Sequence, residues 1–184
     1  MNRFEHLRLC VVMGACLAGA SIAHAAPLSK DEAKARKASI EAQYKSAREA
    51  CNSLSGNAKD ICVEQAKGQE NVAKAELDDQ HEPSASSREK LAKARAEATY
   101  AVAKERCDDL AGNPKDVCVK EAKAAHTQGL ADAKANRETS KARSDAAEDK
   151  NDARYAVEIA KCDSLAGDAK SACVSAAKAR FGKT

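Results

Sequence analysis

The chain is predicted to be all-α: three disulfide-stapled antiparallel helical hairpins in tandem, elongated, with alanine-rich seams resembling those of coiled coils. Three observations predict this. A segment bounded by cysteines recurs at 51–62, 107–118 and 162–173, with Gly followed by Asn or Asp at its midpoint (Gly56-Asn57, Gly112-Asn113, Gly167-Asp168). Recurrence at roughly 55 residues marks a repeat architecture. Ala is roughly a quarter of the 184 residues, charged residues are 32%, and there are only 8 Gly and 3 Pro, a composition that favours long helices. Burying alanine removes little area from water, so a thick globular core is not expected.

The elements follow in order. Arg3 and Arg8, the apolar run from Leu9 to Ile22, and the small-residue motif Ala23-His24-Ala25 form a secretory signal peptide, residues 1–25, with cleavage after Ala25. Cleavage at Cys16 in Met13-Gly14-Ala15-Cys16 would make a lipoprotein, but Met stands where Leu is usual and an apolar stub would remain. Removing the leader also removes Cys10 and Cys16, so the other six cysteines all lie in the repeats. Export permits disulfides, and each copy must make sense by itself. The expected bridges are Cys51–Cys62, Cys107–Cys118 and Cys162–Cys173.

Ser29 and Glu32 have capping-box spacing and start the first helix. That helix carries Tyr44 and Cys51 to about Ser55. Gly56 then supplies a left-handed C′ residue, with Asn57 as the N-cap of the return helix. Asn113, followed by Pro114 at a first helical position, and Asp168 take the same role in the later copies. The cysteines of a copy lie about one and a half turns either side of the bend, opposite one another across an αα-hairpin. Tyr44, Ala47, Cys51 and Leu54 form a heptad seam, and Tyr100, Ala103, Cys107 and Leu110 repeat it. In the third copy Glu158 interrupts the seam, with Val157 and Ile159 compensating. Each tyrosine is expected to wedge against the partner helix: Tyr44 near Gln69, Tyr100 near Ala125, Tyr155 near Arg180 and Phe181.

Pro83 and the serines after it break the chain between the first two copies, and Ser86 with Glu89 caps the next helix. Residues 136–152 are polar but lack Pro and Gly. A break or kink is expected there, the alternative being a continuous exposed helix. The repeats are thus 26–82, 83–136 and 137–184, the last with a short final helix ending near Phe181.

Without the leader 29 basic and 27 acidic residues remain, a net charge of about +2, and the two signs are interspersed throughout. This disfavours nucleic acid and anionic membrane as obligate partners, and no segment after the leader is apolar enough to span a bilayer. Thiol–disulfide enzymes use Cys-x-x-Cys at a helix N-terminus, and a pair ten residues apart across a hairpin is a staple instead. His81 and His126 are isolated and do not recur between copies, so no metal site is expected. Haem-attachment, phosphate-loop and nucleophile-elbow motifs are absent. No cofactor and no enzymatic activity are expected. The one repeated feature that hairpin mechanics does not require is a lysine, at Lys59, Lys115 and Lys170. It either reaches back over the turn, to helix-end carbonyls or to Asp108 and Asp163, or presents a row of contact points at the tips.

The pattern Tyr-x6-Cys-[Asp/Asn]-x-Leu-x-Gly-[Asn/Asp]-x-Lys-x-x-Cys-Val, with the ending Ala177-Lys178-Ala179-Arg180-Phe181-Gly182-Lys183, resembles small exported repeat proteins of β-proteobacteria. These are often labelled TolA-like or cell envelope biogenesis proteins. The resemblance implies an envelope location more than an activity. The chain departs from TolA in its cleavable leader and in lacking a C-terminal globular domain. Mitochondrial twin Cys-x9-Cys hairpins look similar but carry two bridges each. The expected role is a non-enzymatic, periplasmic, structural or protein-interaction one, with envelope proteins as partners. The alternative is a periplasmic stress chaperone or holdase, and behind it a metal carrier or enzyme.

Overall fold

A computed structural model describes residues 28–184; the leader expected at 1–25 lies outside the described residues. Among the described residues five α-helices follow one another: α1 Lys30–Ala50, α2 Gly56–His81, α3 Ala85–Cys107, α4 Gly112–Cys162 and α5 Gly167–Phe181, with a turn of 3₁₀ helix, Cys51–Ser53, closing α1. Each helix packs, among the described residues, only on its sequence neighbours: α1 on α2, α2 on α3, α3 on α4, and α4 on α5. The fold is therefore a single layer of antiparallel helices without a closed core. The buried apolar side chains are the first cysteine of each pair, Leu77 and a few alanines, as the alanine-rich composition requires.

α1 begins as its sequence predicts. The Ser29 hydroxyl accepts from the Glu32 amide while the Glu32 carboxylate accepts from the Ser29 amide at 2.9 Å. The Ser29 hydroxyl also donates to that carboxylate, at 2.7 Å, and this bond, with the one from the Ser29 amide, holds Glu32 below the usual carboxylate range. The three turns bend at Gly56, Gly112 and Gly167, with φ of +57°, +59° and +58°. This is left-handed backbone that glycine enters without a Cβ penalty.

The caps differ from expectation. Asn57, Asn113 and Asp168 are not the N-caps. The cap positions are Ser55, Ala111 and Ala166, and no side chain bonds there. The left-handed glycine places the residue before it at the helix entrance, which leaves Asn57 free to reach sideways. Its amide donates to the Glu105 carbonyl at the end of α3, 2.8 Å away.

The α2–α3 turn also uses different residues. Ser84, not Ser86, is the N-cap of α3, in a reciprocal box with Ser87. Ser84 directly follows Pro83 and is extended (φ −154°, ψ 166°), so its hydroxyl is the first that can meet the free amides. The Ser87 hydroxyl donates to Asp79 of α2, tying the turn shut. Further along, Gly68 approaches Ala98 so closely that a Cβ on Gly68 would lie 2.7 Å from the Ala98 Cβ. The close contact brings hairpins one and two side by side.

The break or kink expected in 136–152 does not form: α4 runs unbroken through 51 residues. No Pro or Gly interrupts that region, and Ala, Lys, Glu and Arg all sustain helix. Ion pairs spaced four residues apart, such as Lys141–Asp145 at 2.7 Å, support it further. Hairpins one and two therefore lie beside each other, while hairpin three is carried off along α4. Residues 141–150 are exposed at every position.

Candidate interaction surface

The repeated residues converge on the three hairpin tips. Cys51–Cys62, Cys107–Cys118 and Cys162–Cys173 are bridged, with Cα separations of 5.6, 5.7 and 5.7 Å. The first cysteine of each pair is sealed from solvent, at 0%, 0% and 1% exposure. Disulfides persist in oxidising compartments, which accords with export.

Behind each bridge the tyrosine is a half-buried wedge. Tyr44 and Gln69 line the same small cleft between α1 and α2. Tyr100 stacks on His126, with ring centroids 4.6 Å apart, beside the expected Ala125. Tyr155 meets Phe181 at 6.0 Å. His81 bonds the Leu28 carbonyl through Nδ1 at 2.7 Å, fastening the start of the described chain to the end of α2. His81 is thus engaged in a hydrogen bond and His126 in ring stacking. Among the described residues no group of three or more His, Cys, Asp and Glu side chains is placed to hold a metal ion.

The repeated lysines are not equivalent. Lys115 pairs with Asp108 at 2.9 Å and Lys170 with Asp163 at 3.0 Å, each reaching back across its turn. The hydrogen bond from Lys115, together with its charge, holds the Asp108 carboxyl below its usual range, and Asp108 raises Lys115 in return. In the first copy Asn52 stands in the aspartate's place, and Lys59 makes no such pair among the described residues. Nor do the lysines form one row. The Asn57–Glu105 bond sets the first two tips at one end of the layer, whereas the third lies at the far end of α4, about 75 Å away at 1.5 Å per residue.

The seam also ends sooner than expected. Leu54 and Leu110 are not in it: they are 43% exposed, as is Leu165 at 42%. Each follows the cysteine by three residues, where the helix has already unwound into the turn, so the heptad no longer predicts its direction. Val157 likewise faces solvent at 56% exposure and does not repair the seam at Glu158. Each tip accordingly shows a leucine beside a lysine.

One surface escaped the sequence reading. An open groove of about 770 Å³ runs between α2 and α3, with Val72 and Val102 set among Gln65, Gln69, Arg95 and Arg106. It exists because the Pro83 turn folds α3 against α2. The valines, unusual in these alanine-rich arms, were the available signal.

Among the described residues no helix is long and apolar enough to cross a membrane. No family model matches the chain, and neither a curated protein nor a solved structure is detectably similar to it.

Proposed function

We propose that the protein is a non-enzymatic periplasmic repeat protein that serves the cell envelope through protein–protein contacts. The observation that supports this best is how the repeated reactive side chains are used. All six repeat cysteines are closed in staples, and two of the three repeated lysines are held by aspartates across their turns. What the repeats leave outward is a leucine at every tip, and at the first tip Lys59, which has no ion-pair partner among the described residues. These groups suit contact with another protein better than catalysis.

Lysine-directed cross-linking in intact cells tests the reading, with Lys59→Arg, Lys115→Arg and Lys170→Arg as reactivity controls and Leu54→Asp and Leu110→Asp as surface variants. Capture of an envelope protein that the leucine variants lose is the expected outcome. If no envelope protein is captured by the unsubstituted chain, the proposal fails. Five large apolar side chains exposed among the described residues, Leu54, Leu110, Val117, Val157 and Leu165, favour a holdase as the second reading. They are scattered, where client binding normally uses a contiguous patch. Suppression of a denatured client's aggregation at stoichiometric ratio would put that reading first.

A further inference from the structure

The long helix α4 carries, on one face, counterparts of both sides of the α2–α3 interface. α4 follows the second repeat's turn as α2 follows the first, so residues of α2 correspond to residues 56 positions later. Its second half precedes the third cysteine pair as α3 precedes the second, an offset of 55. The α2–α3 contacts can be carried across on those offsets. Glu76–Arg95, an ion pair at 2.7 Å, becomes Asp132 and Lys150. Asp79 and Ser87, joined by a hydrogen bond, become Ala135 and Ala142, both apolar together. Asn57, which bonds a main-chain carbonyl, becomes Asn113, and the carbonyl becomes that of Ala160. Gln65 and Arg106, which face the same groove, become Glu121 and Lys161. Opposite charges stay opposite, and paired polar groups change to apolar in concert.

These counterparts cannot meet within one chain, because α4 is a single continuous helix. They do share one face. At about 100° per residue, Asn113, Val117, Ala124, Ala135, Ala142, Ala153 and Ala160 fall within about 40° of one another. The buried residues of α4, Ala122, Ala133 and Cys162, point to roughly the opposite side, toward α3 and α5. Every one of these face residues is exposed, Val117 included, and so is Val157 at the edge of the face.

The register is also self-complementary. The pairs 113 with 160, 124 with 153, 132 with 150 and 135 with 142 all centre within about three residues of the middle of α4, near Glu138 and Thr139. An antiparallel pair of α4 helices related by a two-fold axis there would satisfy every pair twice, the isologous arrangement that closes a dimer. In such a pair each flank meets the same flank of its partner. Glu121, Asp132, Lys150 and Lys161 all lie on one flank, so acids meet bases.

We propose that the protein is a two-fold homodimer in which α4 pairs antiparallel with α4 of a second copy, repeating between chains the packing that α2 and α3 make within one. Ala124 replaces the counterpart of Gly68, whose lack of a Cβ allows the closest α2–α3 approach. The α4 helices therefore sit slightly farther apart. Residues 141–150, exposed at every position in the single chain, become part of the interface.

The test uses the purified, disulfide-intact protein. Sedimentation velocity is expected to report a dimer. Oxidising a mixture of Ala124→Cys and Ala153→Cys chains, with the native bridges verified by peptide mapping, is expected to give a covalent dimer that neither variant forms alone. Thr139→Cys, beside the axis, is expected to cross-link to itself. Asp132→Lys should weaken dimerisation about tenfold or more, and Asp132→Lys with Lys150→Asp should restore it, both with unchanged helical circular dichroism. A protein that stays monomeric at about 100 µM overturns the proposal. So does Ala124→Cys cross-linking to itself rather than to Ala153→Cys.

Discussion

Gly56, Gly112 and Gly167 hold positive φ with nothing within 4 Å of where a Cβ would stand. An alanine there suffers no clash, only the left-handed backbone. Gly56→Ala should cost about 1 kcal/mol, read as a lower denaturation midpoint with an unchanged slope. A much larger loss would mean that the turn is packed rather than open. The Lys115–Asp108 pair makes a second prediction at this scale. Asp108 lies below its ordinary range, so its contribution to stability is present above the unfolded aspartate pKa and is lost as pH falls through the depressed value. Lys115 is raised, so its contribution is complete below the ordinary lysine pKa and is lost as pH rises through the raised one. Both side chains are open to solvent, and screening keeps the energetic effect small. The sharper readout is the Asp108 carboxyl titration followed by NMR. In Lys115→Met it should move up toward the ordinary aspartate value, and an unmoved titration would remove Lys115 as the cause.

Among the elements, the disulfides stabilise unequally because the hairpins differ in their neighbours. Closing a loop of this length contributes about 2–3 kcal/mol, but α2 and α3 also hold each other, whereas among the described residues α5 packs on α4 alone. Replacing Cys162 and Cys173 with Ser should therefore release α5 by itself, seen as loss of amide protection confined to Gly167–Phe181. The same change at Cys51 and Cys62 should leave α2 protected through α3. Equal loss at both sites would show that the staple alone sets hairpin stability. Much of this arrangement was legible in the sequence, since cysteine spacing, midpoint glycine and tyrosine wedge each act within about a dozen residues of the bend. Two things were not. The caps at the three tips moved because a left-handed glycine shifts the helix entrance by two residues, so that Asn57 bonds a neighbouring hairpin. The groove depends on how hairpins lie together, which Pro83 sets by turning α3 against α2 and which Gly68, lost in an ordinary helical run, permits by having no side chain. The tip leucines are exposed because the helix unwinds into the turn just after the cysteine, where the heptad stops predicting direction.

For the molecule as a whole, the missing break in α4 sets the shape. Pro83 turns α3 back against α2 and makes a layer; the absence of any such residue in 136–152 sends the third hairpin outward on the same helix. Polar composition suggested a loop there, but polarity only says that a segment has no buried face in its own chain, and a helix laced with i, i+4 ion pairs meets that condition equally well. An isolated helical stretch is marginal in water, since most helical stability comes from packing. In dilute solution, where single chains prevail, amides of residues 141–150 should exchange at least about tenfold faster than those around Ala122 and Ala133, which are buried against α3. Raising the concentration should slow exchange in 141–150 more than elsewhere if the second copy covers that stretch. Ala147→Pro removes one backbone bond and crowds the carbonyl of Arg143, breaking α4 locally at a cost of about 3 kcal/mol. The hairpins on either side are separately stapled, so their protection should survive while small-angle scattering of the dilute protein reports a shorter, more variable particle. If both the scattering and the exchange rates were unchanged, α4 would not be the strut that separates the two ends.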